Sequence, residues 1–312
     1  MVKIDLITGF LGSGKTTFIK KYARFLIDKG LNICILENDF GAVNVDMMVL
    51  QDIMGEHCEL EMVSGGCDKD CHRRRFKTKL IAMGMCGYDR VIVEPSGIFD
   101  MDEFFDALHE EPLDRWYELG NVIAIADAGM PEELSPEADY LLGSEAACAG
   151  KILLSRVQEV SEEKIRGTVE HLNSALEKIR CSRRLDPDKD IISRDWSTLA
   201  AEDFEELMKA GWQSADYVKQ DVDENGSFDS LFYMNIKMNE KKLRETAEKL
   251  LKDPACGKVM RVKGFMKQDN ESWLELNATE HETILRSVKL GQEIMIVIGE
   301  GLNKEVIDGY WN

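Results

Sequence analysis

No hydrophobic stretch of the sequence approaches the about 20 residues that cross a bilayer. We also expect no basic-then-apolar leader, because a strand-like segment begins at once, at Lys3. Positive charge is scarce: 39 Lys and Arg against 58 Asp and Glu give a formal net charge of −19. We therefore expect a cytoplasmic protein whose main partner is neither nucleic acid nor a membrane surface.

Cysteine is present in moderate number, with eight residues in a chain of 312. In a cytoplasmic protein of this size they indicate free thiols or metal ligands rather than a disulfide framework. Five of them are predicted to be buried core thiols: Cys34, Cys86, Cys148, Cys181 and Cys256.

Strand-like and helix-periodic segments alternate through the first two thirds of the chain. This alternation predicts an α/β fold, a P-loop NTPase with a mainly parallel sheet covered by helices. The pattern changes after a polar stretch, and the remainder reads as a small C-terminal α+β domain. The predicted division is residues 1–212, a linker at 213–227, and residues 228–312.

The segment Gly-Phe-Leu-Gly-Ser-Gly-Lys-Thr-Thr at 9–17 fits the phosphate-binding pattern G-x-x-x-x-G-K-[ST], between a strand and a helix. Lys15 is predicted to contact the β- and γ-phosphates, and the Thr16 hydroxyl to bind Mg²⁺. The predicted nucleotide-binding residues of this loop are Gly9, Gly12, Ser13, Gly14, Lys15, Thr16 and Thr17.

Polar residues at the carboxyl ends of the other strands are expected to face the same nucleotide. Glu94 ends the most apolar strand, so its carboxylate is predicted to hold Mg²⁺ directly or through a water. Gly97 follows closely and is predicted to sense the γ-phosphate through its backbone N–H. The alternative for Glu94 is a solvated carboxylate with no catalytic role.

The loop after the second strand, residues 37–46, is acidic and suits a first switch region. Asp46 is predicted to orient the attacking water, and Glu37 or Asp39 to bind a metal. Hydrogen-bonded turn residues remain the alternative for this loop.

A third strand-end segment carries two cysteines, Cys67 and Cys71, four residues apart. Two thiolates suit a borderline-soft ion such as Zn²⁺ or Co²⁺, and with Glu37 they would form a site of three ligands. The pair could also be incidental. Further candidate ligands are His57, Cys58 and His72.

A basic run follows this segment at residues 72–79. It could meet an acidic partner or a phosphate. We favour the alternative, a solvated helix face that balances nearby acidic residues.

Taken together and in this order, these motifs resemble the CobW-like P-loop GTPases, a family related to the nickel-insertion GTPases of urease and hydrogenase maturation. The segments at 261–265, 273 and 298–299 look like the small C-terminal domain of that family, so the similarity spans nearly the whole chain. The resemblance implies a GTPase that binds zinc or cobalt and serves a client metalloenzyme or a cofactor pathway. The resemblance also implies that Glu37 and Asp46 belong to the first switch region and that Glu94 and Gly97 belong to the second.

Two departures from the family pattern bear on the predicted sites. Cys67 matches the first cysteine of the family's Cys-x-Cys-Cys motif, but positions 69 and 70 are Lys and Asp, and Cys71 comes one residue late. The guanine-reading Asn-Lys-x-Asp is replaced by Ser-Arg-Val-Gln at 155–158. Arg156 can still stack over the base, but Gln158 cannot accept two hydrogen bonds from guanine, so ATP stays open beside GTP.

The leading hypothesis is a nucleotide-driven metal handler that delivers Zn or Co to a client metalloprotein. The second is a metal-independent nucleotide switch, using GTP or ATP, for assembly or activation of a corrinoid or other metalloenzyme. A third reading, a small-molecule kinase, uses the same P-loop and Mg²⁺ chemistry, but no acceptor-binding lid is evident in the sequence.

Overall fold

The computed structural model describes residues 1–39, 50–64, 69–97, 101–219, 228–268, 272–288 and 291–311. The chain divides into two compact units, Met1–Gln220 and Asp221–Asn312. The described part of the predicted linker is attached to the first unit by two backbone hydrogen bonds. The N–H of Gln213 donates to the carbonyl of Cys148, and the N–H of Val218 donates to the carbonyl of Ile179. The rest of that linker lies outside the described residues, and its boundaries stay a prediction.

In the described residues, the first unit is built on a parallel sheet of seven strands in the order β3-β2-β4-β1-β5-β6-β7. The strands are β1 (Val2–Thr8), β2 (Ile33–Asp39), β3 (Cys58–Ser64), β4 (Arg90–Pro95), β5 (Tyr117–Asp127), β6 (Lys151–Ser155) and β7 (Ile191–Ile192). Strand β1 lies between β4 and β5. The strands that follow β1 are added on one side of it up to β4, and those from β5 onwards are added on the other side, so the strand order reverses at β1. Crevices at such a point, beyond the carboxyl ends of the strands, bind ligands in open α/β sheets.

Helices connect these strands, as the alternating pattern predicts. They are α1 (Lys15–Asp28), α2 (Lys69–Gly84), α3 (Met101–His109), α4 (Leu113–Trp116), α5 (Pro136–Cys148), α6 (Glu162–Lys178), α7 (Pro187–Asp190) and α8 (Ala201–Leu207). The predicted α/β fold is thereby confirmed.

Helix α1 is held by an apolar stripe at helical spacing. Its fully buried side chains include Phe18, Tyr22 and Leu26, which pack in one cluster with Ile35 of β2 and Ile92 of β4. Burial of large apolar side chains is the dominant stabilising contribution to folding. The packing fixes the start of α1, and with it the phosphate loop, against the middle of the sheet.

The second unit carries an antiparallel sheet in the order β11-β10-β9-β12-β8. Its elements are β8 (Phe228–Met234), α9 (Glu240–Lys252), β9 (Lys258–Lys267), β10 (Trp273–Thr279), β11 (Thr283–Val288), β12 (Ile294–Glu300) and α10 (Lys304–Asp308). Strand β11 is not predicted by the sequence, because as an edge strand it keeps exposed residues and lacks a fully apolar face. The predicted small α+β domain is otherwise confirmed.

Among the described cysteines, Cys34, Cys148, Cys181 and Cys256 are buried thiols outside any disulfide, as predicted. The prediction is wrong for Cys86, which is exposed in the turn that follows α2. In the part of the chain that the structure describes, no helix has the length and apolar character needed to span a membrane.

Candidate functional site

The segment between β1 and α1 is the centre of the site. The backbone at Gly9, Gly12 and Gly14 has φ values of 149°, 76° and 102°, which side-chain-bearing residues rarely adopt. A Cβ atom on Gly9 would lie 2.4 Å from the carbonyl oxygen of Ile125, so the loop passes too close to β5 for any side chain there. Lys15 begins α1, and its Nζ donates a 2.7 Å hydrogen bond back to the carbonyl of Gly9.

Thr16 and Glu94 meet at the mouth of this loop, although 78 residues separate them in sequence. The Thr16 hydroxyl donates to Oε1 of Glu94 over 2.8 Å, and the Glu94 side chain is buried at the end of β4. A hydroxyl and a carboxylate are both hard oxygen donors of the kind that Mg²⁺ prefers. The two predicted magnesium ligands are therefore brought together, and their chemistry fits that ion.

The segment after β4 touches the phosphate loop directly. A Cβ atom on Gly97 would lie 2.7 Å from the backbone nitrogen of Leu11 and 3.0 Å from its Cα. Because both contacts are with backbone atoms, the neighbouring loop could make room for a side chain only by moving its main chain, which costs free energy. Gly97 thus allows the β4 segment to lie against the loop that would hold the phosphates.

The end of β2 is tied both to this segment and to α2. The N–H of Ser96 donates to the carbonyl of Asn38 over 2.8 Å, and Oδ1 of Asn38 lies 2.8 Å from Nε2 of His72. Both side chains of the second pair are about 1% exposed. Glu37, the preceding residue of β2, is also buried and pairs in register with Glu94 of β4. Asn38 thereby joins the carboxyl ends of β2 and β4 to the first turn of α2.

The predicted metal ligands are only partly described. Glu37 is buried at the end of β2, and Cys71 is half-buried in the first turn of α2. Cys67 and Asp46 lie outside the described residues, so their predicted roles stay predictions. Within the described ranges, no three His, Cys, Asp or Glu side chains converge to hold a metal ion.

On the other side of the loop lies Arg156, whose stacking over the base stays a prediction. Its backbone is left-handed, with φ of 55°. One guanidinium nitrogen donates to Oδ2 of Asp127 over 2.6 Å, and the other donates to the carbonyl of Gly12 over 3.1 Å. Gln158 is exposed, and its amide nitrogen lies 3.3 Å from a carboxylate oxygen of Glu159. Arg156 thus braces the phosphate loop, while the Gln158 amide is at the surface.

Trp196 is a neighbour of the loop that the sequence motifs do not indicate. It follows β7, and its ring would lie 3.4 Å from a Cβ atom on Gly14. The same ring meets Phe18 edge-on, with centroids 5.6 Å apart. The position of Trp196 shortly after a parallel strand could have indicated that it lies near the nucleotide. However, β7 has only two residues, and the end of so short a strand is hard to predict from sequence.

Glu145 is a second neighbour that the sequence did not indicate. It lies on α5, and its Oε1 accepts hydrogen bonds from the Thr8 hydroxyl at 2.8 Å and from the Gly9 N–H at 3.1 Å. Burial raises the pKa of this carboxyl to about 7, and the Lys15 charge together with these two hydrogen bonds opposes the rise. Every residue of α5 from Ala138 to Cys148 is buried, so periodicity gives no sign that this position has a special role.

The basic run at 72–79 lies on α2. Arg73 and Lys77 both form ion pairs with Glu110, at 3.0 and 2.5 Å, and Lys79 pairs with Glu61 at 2.7 Å. For these three residues the pairs agree with a helix face that balances nearby acidic residues, whereas His72 at the start of the run is buried.

Comparison with known families decides the affiliation of the first unit. The family model of the CobW/HypB/UreG nucleotide-binding domain matches residues 3–185, more than half of the chain. The chain belongs to this family. The resemblance inferred from the motifs is thereby confirmed.

Curated relatives of this CobW/HypB/UreG chain carry names of metal-handling proteins. It is 27% identical over 183 residues to the zinc chaperone YjiA of Escherichia coli K12, covering 55% of each chain. It is 32% identical over 130 residues to the zinc chaperone YeiR of the same bacterium, covering 41% of this chain and 38% of that one. With the zinc-regulated GTPase metalloprotein activator 1 of Dictyostelium discoideum it shares 23% identity over 304 residues, 84% and 62% of the two chains.

These alignments are partial: the match to YjiA spans about half of that relative's length, 55%. Among solved structures, the zinc-bound YjiA GTPase from E. coli aligns with 99% of this chain and 97% of its own, at 21% identity and a TM-score of 0.39.

Proposed function

We propose that this chain is a GTPase that couples its nucleotide state to the binding of a transition metal and to its delivery to a client metalloprotein. The observation that carries the proposal is the double attachment of Asn38. Its carbonyl holds Ser96, beside the predicted γ-phosphate sensor, and its side chain holds His72, next to Cys71. A change at the nucleotide therefore has a short path to the cysteine-bearing helix.

In this proposal the phosphate loop binds the nucleotide through its N–H groups, and Lys15 neutralises charge on the β- and γ-phosphates. Thr16 and Glu94 are the proposed holders of Mg²⁺, which when bound stabilises negative charge on the phosphate oxygens. Asp46 is the proposed residue that orients the attacking water. Gly97 is the proposed γ-phosphate sensor. It lies against Leu11 of the phosphate loop, so binding or loss of the γ-phosphate in that loop would change the position of the segment after β4.

GTP is the proposed nucleotide because the relatives include a named GTPase. The proposed base contacts are made by Arg156 and Gln158. Gln158 weakens guanine recognition relative to an aspartate, since it offers one acceptor and one donor.

The proposed metal ligands are Glu37, Cys67 and Cys71, with zinc as the first ion to test and cobalt as the second. The names of the relatives support zinc, and two thiolates with one carboxylate suit either ion. We also propose that the protein works in the cytoplasm, where thiols stay reduced, because no described cysteine is part of a disulfide.

A cobalt titration tests the metal-handling part of the proposal. Co²⁺ is added to the reduced, full-length chain with Mg²⁺ and a non-hydrolysable GTP analogue, and thiolate-to-cobalt charge-transfer absorption is recorded. We expect a stoichiometric band that is lost in Cys67→Ala and Cys71→Ala. The matched control is Cys86→Ala, since Cys86 is an exposed free thiol beyond the end of α2. Absence of the band in protein shown to hold nucleotide would contradict metal handling.

The altered cysteine motif favours one alternative, a metal-independent nucleotide switch for a metalloenzyme. Lys69 and Asp70 stand where the family pattern has two thiolates. A pull-down with the full-length chain in the GTP-analogue, GDP and nucleotide-free states tests it. The alternative predicts a partner whose capture depends on the nucleotide but not on added zinc.

A further inference from the structure

A carboxylate buried in an almost entirely buried helix is an unusual feature of this chain. Glu145 is about 1% exposed, and its neighbours along α5 are buried as well. Charged side chains are rarely buried so completely unless they are paired or hydrogen-bonded, because burial disfavours the charge. Such a residue calls for a role that an apolar side chain would not fulfil.

The hydrogen bonds of Glu145 lead to the start of the phosphate loop. Its Oε1 accepts from the hydroxyl of Thr8, the last residue of β1, and from the N–H of Gly9, the first residue of the loop. The carboxylate thus holds the point at which the chain leaves the sheet. Sequence separations of 137 and 136 residues show that this is a tertiary and not a local contact.

Gly9 passes this constraint on to Lys15. The N–H of Gly9 is held by Glu145, and its carbonyl accepts the 2.7 Å hydrogen bond from Nζ of Lys15. The Ile125 carbonyl and Oγ of Ser13 crowd Gly9, at 2.4 and 2.6 Å from where a Cβ atom would lie, and leave the residue little room to turn. Glu145, Gly9 and Lys15 therefore form one hydrogen-bonded chain that ends at the cation of the loop.

We propose that Glu145 is a positioning residue: its acceptor oxygen orients Gly9, and Gly9 in turn holds the Lys15 ammonium where the nucleotide phosphates bind. The inference rests on nucleotide binding by this loop, not on metal delivery. The charge of Glu145 is not what the role needs, since a negative group near the loop would repel phosphate. What it needs is an oxygen at the right distance from Gly9.

Two conservative variants separate the oxygen from the charge. Glu145→Gln keeps an acceptor oxygen at the same reach and removes the charge, whereas Glu145→Asp keeps the charge and withdraws the oxygen by one methylene. The affinity of the full-length chain for GDP is measured for both, with thermal unfolding as the check on folding. The matched control is Glu137→Gln, in the first turn of the same helix.

We expect Glu145→Asp to weaken GDP binding about tenfold, because the Gly9 N–H loses its acceptor and Lys15 its fixed position. Glu145→Gln should recover most of this loss, and Glu137→Gln should bind as the wild type does. The opposite order, with Gln impaired and Asp unimpaired, would overturn the proposal by showing that the charge matters. Equal, wild-type affinity in both would show that Glu145 has no role in the loop.

A double-mutant cycle with Lys15→Ala tests the path through Lys15. If Glu145 acts by placing that ammonium, Glu145→Asp should change GDP affinity less than about twofold once Lys15 is gone. The same loss in both backgrounds would mean that Glu145 supports the fold alone. Should Glu145→Asp not fold, Glu145→Leu serves in the cycle, because it removes the oxygen that accepts from the Gly9 N–H and leaves a side chain of similar size at this buried position.

This experiment is independent of the proposed metal function. GDP binding with no effect of Glu145 would reject the inference and leave the GTPase proposal standing. Absence of nucleotide binding in the wild type would reject the proposed function, and the inference with it.

Discussion

The amide oxygen of Asn38 lies 2.8 Å from Nε2 of His72, and both side chains are buried. This contact joins the end of β2 to the first turn of α2, where Cys71 lies. A buried hydrogen bond of this kind is costly to break, because the group left behind loses its partner. The pair therefore ties the position of Asn38 to that of the helix that carries Cys71.

Removal of the imidazole should uncouple nucleotide state from metal affinity. We expect His72→Leu to bind GDP as the wild type does and to bind zinc with the same affinity in the GDP and GTP-analogue states. The measurement is zinc competition with a chromogenic chelator in each state. The matched control is His109→Leu, since the Nδ1 of His109 also makes a hydrogen-bond contact, 2.7 Å from the carbonyl oxygen of Phe105, but His109 is exposed at the end of α3. A state-dependent zinc affinity that survives in His72→Leu would contradict the prediction.

A methyl group at Gly97 should force the β4 segment away from the phosphate loop. Gly97→Ala would place Cβ 2.7 Å from the backbone nitrogen of Leu11, and overpacking of this kind costs about 1–3 kcal/mol. We expect the free energy of unfolding to fall by that amount in urea denaturation, with slower GTP hydrolysis. Gly167→Ala is the control, because nothing lies within 4 Å of a Cβ there and alanine favours helix α6. An unchanged stability of Gly97→Ala would show that the loop moves aside.

An aspartate at position 158 should sharpen guanine preference. Asp accepts two hydrogen bonds where Gln offers one acceptor, and Gln158 is exposed, so the exchange needs no repacking. We expect the ratio of GDP to ADP affinities to rise about tenfold in Gln158→Asp. The neighbouring Glu159→Gln serves as the control. A ratio that stays constant in the first variant and falls in the control would identify Glu159 as the acceptor instead.

Glu145 should make the protein less stable as the pH rises through a defined window. The pKa of its carboxyl is about 7 in the folded chain against 4.5 for the ordinary value, so between these pH values the folded state binds a proton that the unfolded state has lost. Stability therefore falls from about pH 4.5 to pH 7, and the loss is complete above that. In Glu145→Gln this decrease should be smaller by up to about 3 kcal/mol. Parallel stability curves for the two proteins, from urea unfolding at several pH values, would contradict the shift.

Much of the site follows from residues that are close together in sequence. The phosphate loop, its strand and its helix are local, because glycine spacing and a four-residue apolar period leave few alternatives for the backbone. The strand-end rule brings Thr16 and Glu94 together correctly, since parallel strands place their carboxyl ends at one edge. The same rule underlies the predicted metal ligand Cys67 and the predicted water-orienting Asp46, but both lie outside the described residues and remain predictions.

Other parts of the structure were not predictable in this way. Strand β11 is missing from the predictions because an edge strand needs no continuous apolar face, and Cys86 is exposed because it lies in a turn. Asp127 ends β5, but its partner Arg156 is 29 residues away, so the sequence held no local signal of the pairing.

The sequence by itself determined that this chain is an α/β nucleotide-binding protein of the CobW type, because short-range patterns specify strands, helices and the phosphate loop. Only the tertiary structure decided what holds the loop in place. Glu145 and Arg156 contact the loop, and Asn38 joins β2 to α2, through hydrogen bonds that span 34 to 144 residues. Such contacts depend on the packing of the whole unit, and neither composition nor periodicity encodes them in a form that can be read from one segment.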